Sequence, residues 1–130
     1  MAGPETPKLM VDVVIPSDEG VVLIRRGTEP FEGQWALPGG FVEVGETVHE
    51  AAVREAAEET GLAVEISRLV GVYSEPDRDP RGHNVSVVFL ARVLGGQMQA
   101  ASDATEVEVF DPNTVELAFD HSRIIADAMM

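Results

Sequence analysis

The 130-residue chain has no cysteine. That excludes disulfides, a thiol nucleophile and a cysteine-type zinc site. Basic residues are scarce: nine Lys and Arg stand against 23 Asp and Glu, a net charge of −14. A nucleic-acid polymer needs a basic face to meet its phosphates, so no such partner is expected. No apolar run approaches the ~20 residues that span a bilayer, so no membrane partner is expected either. The first residues, Met-Ala-Gly-Pro-Glu-Thr-Pro-Lys, lack the apolar core of an export signal, which is compatible with a cytoplasmic location. What remains is a length that suits one soluble domain, residues 1–130, with 1–7 as a loose Pro-rich tail.

The most informative segment that is present runs from Gly40 to Leu62. Its skeleton is Gly40-x5-Glu46-x7-Arg54-Glu55-Ala56-x-Glu58-Glu59-x-Gly61-Leu62. Thr47 to Thr60 contains neither Gly nor Pro and is rich in Ala, which predicts a helix. Thr47 and Glu50 have capping-box spacing, and Gly61 is a helix stop. Val48, Ala51, Ala52 and Ala56 are candidates for its buried face. Glu55 and Glu59 are four residues apart and share a face, with Glu58 beside them. Crowded carboxylates repel unless a cation sits among them, and hard oxygen donors suit Mg²⁺ or Mn²⁺. A solvated acidic face with Glu/Arg pairs is the plain alternative, but it leaves the Gly39-Gly40 pair and the Glu46 spacing unexplained. Gly39-Gly40 itself reads as a turn that lets the backbone come close to something. Arg54 has Glu58 four residues on, so ion pairing that orients the glutamates is favoured over phosphate binding. The negative charge and a phosphate substrate are reconciled if divalent ions invert the local field.

The rest of the chain reads as mixed α and β. Strands are expected at Lys8 to Ile15, Gly20 to Arg25, Trp35 to Leu37, Phe41 to Val44, Ala63 to Tyr73, His83 to Val93 and Thr105 to Phe110. Gly27 to Gln34 and Ser74 to Gly82 are loops, Gly95-Gly96 is a turn, and Asp120 to Met130 is a helix capped by Asp120.

The segment from Gly40 to Leu62 resembles the Nudix box at every defined position. Arg25-Arg26 and Gly33-Gln34-Trp35-Ala36-Leu37-Pro38-Gly39-Gly40-Phe41-Val42-Glu43 are also similar to nucleotide-binding Nudix proteins. The resemblance implies an α+β fold, a mixed β-sheet sandwiched between helices. It implies metal-dependent hydrolysis of a nucleoside diphosphate linked to another group, with Glu55, Glu58, Glu59 and the Gly39 carbonyl around the metal and Arg54 orienting them. Homodimers are frequent among such hydrolases. Pro76, fifteen residues after Gly61, and Asp77-Arg78-Asp79-Pro80-Arg81-Gly82-His83 resemble small prokaryotic ADP-ribose pyrophosphatases. ADP-ribose is then the expected substrate. Nucleoside triphosphates, or ADP-ribose sensing without turnover, are the alternatives.

Outside the box, each candidate carries two readings. Arg26, Arg78 and Arg81 are candidate phosphate or ribose ligands; the plain reading of 76–83 is a stiff, solvated connector. Trp35 would stack on a base or pack in the core. His83 would contact substrate or simply lie at the surface. The family recruits a carboxylate from another loop, or one of the box glutamates, as catalytic base; the stretch around Asp103 and Glu106 resembles one found in related ADP-ribose hydrolases, which makes either residue a candidate. Glu106 also heads an alternating run, which makes it an outward strand residue.

Overall fold

The computed structural model describes residues 3–130. Residues 3–7 carry no helix or strand, and residues 1–2 of the expected tail lie outside the described residues. The order is β1 (Lys8–Val14), β2 (Pro16–Ser17), β3 (Gly20–Arg26), β4 (Trp35–Ala36), β5 (Gly39–Phe41), α1 (Val48–Thr60), β6 (Leu62–Tyr73), β7 (Asn84–Gly96), β8 (Ala104–Phe110), a single 3₁₀ turn at Pro112–Thr114 and α2 (His121–Ala128). One sheet has the order β5-β1-β7-β6; in the other, β3 pairs with β2, β4 and β8. The first is mixed, since β1 runs parallel to β7 and antiparallel to β5. Among the described residues no helix is long and apolar enough to cross a membrane.

Helices cover both faces, as expected, and the strand period explains how. Successive residues of a strand point to opposite faces. Val11 and Val13 of β1 pack with Ala51, Ala52 and Ala56 of α1. Val14 packs instead with Ile124, Ile125 and Ala128 of α2. β3 alternates likewise, Val22 on the α1 side, Val21 and Leu23 on the other.

The α1 helix forms as its sequence dictates. Thr47 accepts from the Glu50 N–H and Glu50 from the Thr47 N–H, at 3.0 and 2.9 Å. Gly61 closes it at φ 78°, where a side chain would be strained.

Three expectations need correction. The short strand is Gly39–Phe41, not Phe41 to Val44, so Gly39-Gly40 is extended chain paired with Asp12 and Val11 of β1 rather than a turn. The close approach is real: a Cβ on Gly40 would lie 2.5 Å from the Glu55 carboxylate, and one on Gly39 would strike Val11 O and Asp12. Gly95-Gly96 continues β7, held against Leu62 and Ala63. Asp120 begins α2 but makes no side-chain cap bond, because Arg78 takes its carboxylate.

Candidate active site

The carboxylates of α1 are organised by one guanidinium. Arg54 grips Glu46 with two bonds, Nε at 2.6 Å and Nη2 at 2.9 Å. Its Nη1 donates to Glu55 at 2.8 Å and Glu58 at 3.2 Å, and Nη2 also reaches the Phe41 carbonyl. This planar fork joins the loop before the helix to the acidic face of the helix, which a lysine cannot do. The Arg54 bond holds the Glu46 carboxyl down to about 2. Glu59 behaves in the opposite way. It is 6% exposed, and burial pushes its carboxyl up to about 8, helped by the charges of Glu55, Asp12 and Asp103 and opposed by the Gly39 N–H. Burial also raises Glu55, against the pull of Arg54.

Gly39 explains why β5 belongs to the site. Its N–H donates to Glu59 Oε1 at 2.8 Å. Val13 N–H to Pro38 O and Val42 N–H to Leu9 O put Val11 and Gly40 in hydrogen-bonded register. The intervening Gly39 therefore turns both its N–H and its C=O away from β1, toward Glu59.

These groups border a cleft of about 410 Å³. Glu55, Glu58, Glu59 and Asp103 line it together with Arg26 and Arg81, and Asp103 lies beside Arg26, whose strand neighbour is Ala104. Asp103 is brought there by the loop after β7, whose shape is held by Gly27 N–H to Asp103 O and Gln99 N–H to Thr60 O. Glu106 is not brought there: it pairs with Arg25 at 2.9 Å on the exposed side of β8. Trp35 packs edge-on to Phe110, centroids 4.7 Å apart, outside the cleft. Arg78 is turned inward, its side chain 4% exposed and bound to Asp120 at 2.7 Å. His83 Nε2 lies 2.9 Å from Ser74 O, and the ring borders an adjoining groove shared with Phe41 and Arg81. Pro76 is exposed and lines none of these surfaces.

A narrow extension of the cleft, about 30 Å³, contains residues that sequence reasoning missed: Asp12, Phe119 and His121. Ser86 donates to Asp12 at 2.6 Å, yet burial carries the Asp12 carboxyl up to about 7. His121 Nδ1 accepts the Leu37 N–H at 3.0 Å. That bond assigns the proton to Nε2, and burial keeps the ring neutral, with its pKa lowered to about 3. One signal was available: Asp12 interrupts an apolar β-branched run, and a carboxylate buried in a strand calls for partners. His121 and Phe119 carried none.

Helix carboxylates and guanidiniums lining one cleft suit metal-assisted chemistry on a phosphate ester or anhydride. The chain belongs to the Nudix family: the NUDIX domain profile matches residues 6–128. It is 56% identical over 124 residues to the ADP-ribose pyrophosphatase of Methanocaldococcus jannaschii, covering 95% of this chain and 73% of that protein. The NUDIX domain of Shewanella oneidensis NrtR, crystallised with ADP-ribose, superposes with a TM-score of 0.84 at 29% identity, covering 96% and 88%. A MutT/nudix family protein from Enterococcus faecalis gives 0.84 at 35% identity. This chain spans 62% of the Enterococcus protein's length.

Proposed function

We propose that the chain hydrolyses ADP-ribose to AMP and ribose 5-phosphate. The observation that carries this is one cleft lined both by the carboxylates of α1 and by the guanidiniums of Arg26 and Arg81. It is supported by the identity to the Methanocaldococcus ADP-ribose pyrophosphatase.

The residues present fit a divalent cation. Every donor at the acidic cluster is an oxygen, the buried Glu59 lacks a cationic partner among the described residues, and the Gly39 carbonyl is turned the same way. No three acidic or imidazole groups among the described residues already converge on one point. That suits an ion that keeps several waters and takes substrate phosphates as ligands. Glu55, Glu58, Glu59 and the Gly39 carbonyl would hold it, with Mg²⁺ or Mn²⁺ as the proposed ion. When bound, such an ion polarises a phosphoryl oxygen and lowers the pKa of water. Arg54 holds Glu55 and Glu58 in place. Arg26 and Arg81 bind and orient the diphosphate. Asp103, the cleft-lining member of the Asp103/Glu106 pair, accepts the proton of the attacking water.

The test is a hydrolysis screen with Mg²⁺ or Mn²⁺ across ADP-ribose, other nucleoside diphosphate sugars, dinucleoside polyphosphates and nucleoside triphosphates, products identified by mass. AMP with ribose 5-phosphate as the preferred outcome supports the reading. Pyrophosphate release from triphosphates would replace it, and tight ADP-ribose binding without turnover would make the domain a sensor.

A further inference from the structure

Five side chains from five segments form a row of alternating cations and rings along the cleft. The Arg26 guanidinium lies 5.1 Å from the Phe119 ring centre, and Arg81 lies 5.5 Å from that ring and 5.3 Å from Phe41. Lys8 Nζ follows, 5.7 Å from Phe41. All four contacts fall within the ~6 Å over which a ring face attracts a cation.

Arg81 is the shared member. Its Nη2 binds Asp79 at 2.7 Å and its Nε binds the same carboxylate. Asp79 is itself buried and held by Asn84 at 2.9 Å. Nη1 is left without a protein partner among the described residues, on a side chain that borders the cleft. Arg26 is tied by Nε to Pro30 O at 2.6 Å. Two guanidiniums on one ring repel each other, so their positions must be imposed by what holds them.

Phe119 is held under strain. It adopts φ 53°, a costly region for a bulky side chain. Phe31, at φ 60°, meets it edge-on with centroids 4.7 Å apart. Such conformations persist only where the surroundings over-determine them, and here the surroundings are the cleft wall.

We propose that Phe41 and Phe119 are positioning residues that hold Arg81, and through Phe119 also Arg26, in the arrangement that receives a diphosphate. They set the affinity for substrate and leave the chemical step alone. The inference rests on the cleft being a nucleoside diphosphate site.

The experiment compares Phe41→Leu, Phe119→Leu and the corresponding Tyr variants with the unchanged enzyme, using ADP-ribose and Mg²⁺. Each Leu variant should raise KM about tenfold, as expected for loss of a partly desolvated cation–π contact. The kcat and its Mg²⁺ dependence should stay within about threefold, and Tyr, which keeps the ring face, should restore KM. In an Arg81→Ala background, Phe41→Leu should have no further effect. A full additional loss there would mean that Phe41 touches the substrate directly, and would overturn the proposal. A fall in kcat at constant KM would overturn it too. Phe41 is 38% exposed, so its replacement leaves the fold intact and keeps the test valid if Phe119→Leu fails to fold. If the unchanged enzyme ignores ADP-ribose, the functional reading fails by itself. The proposal is then read from inorganic pyrophosphate binding in Mg²⁺ buffer by calorimetry. Weakening by Phe41→Leu upholds it; unchanged binding refutes it.

Discussion

Arg54 in the acidic cluster finds Glu46, Glu55 and Glu58 within eight residues of itself. Arg78, in the narrow extension of the cleft, finds its partner Asp120 42 positions away, and Arg81 is wedged against rings from β5 and the loop before α2. The Arg54 cluster is a local construction, a helix with its preceding loop. Arg81 and Arg26 donate locally, to Asp79 and to Pro30 O, but the rings they pack on come from remote segments that meet only when both sheets and α2 are in place. The two groups also use arginine differently. Arg54 is saturated by carboxylates and the Phe41 carbonyl and has no donor to spare for a phosphate, whereas Arg81 keeps Nη1 uncommitted. Arginine count is thus a poor guide to phosphate binding here; what decides is which donors the protein has already used.

Damage to the local cluster should strike chemistry and damage to the remote contacts should strike stability or affinity. The sharpest break is Glu59→Gln. It should lower kcat by about a thousandfold, since a metal-bound water and a polarised phosphoryl oxygen contribute several kcal/mol. The fold should survive, because the buried carboxylate that is lost was costly to ionise. Turnover within tenfold of the unchanged enzyme would remove Glu59 from the metal site.

In the cleft's narrow extension, Arg78→Met should leave Asp120 without its partner and cost about 3 kcal/mol of stability. Urea unfolding measures this directly. A normal unfolding midpoint with raised KM would instead make Arg78 a substrate ligand.

Arg54→Lys is the subtler test of the local cluster. The charge stays but the fork that ties Glu46 to Glu55 is lost, so Mg²⁺ affinity and kcat should fall about tenfold with KM for the nucleotide little changed. A selective rise in KM would assign Arg54 to phosphate.

The smallest effect concerns His121. Its folded pKa of about 3 lies below its ordinary 6.5. Between those values the unfolded chain binds a proton that the folded one refuses. Stability therefore falls as pH drops from 6.5 toward 3 and is fully present above 6.5. His121→Asn keeps an acceptor for the Leu37 N–H but does not titrate. Going from pH 6.5 to 5, the unchanged protein should lose about 1–2 kcal/mol more than this variant in urea melts. Parallel profiles would mean that the ring is not held neutral.

Much of the acidic cluster was legible in the chain itself. Helix caps, the apolar face and the Glu55–Glu59 pairing follow from spacing alone, since residues three or four apart on a helix are neighbours in any fold. Thr47, Glu50 and Gly61 do what their types predict, and Arg54 pairs where its spacing to Glu58 and the preceding Glu46 suggested. Strand positions were recovered wherever β-branched runs were long, as in β1 and β7. Tertiary structure alone made Gly39-Gly40 a strand, because its pairing partner lies in β1 and not beside it in sequence. It alone separated Asp103, carried into the cleft by a loop, from Glu106, which the pleat of β8 leaves facing Arg25. It buried Asp12 beside His121 and set Phe119 between two guanidiniums. A local rule cannot reach these contacts, because the register of one strand against another and the docking of α2 decide which distant side chains share a surface.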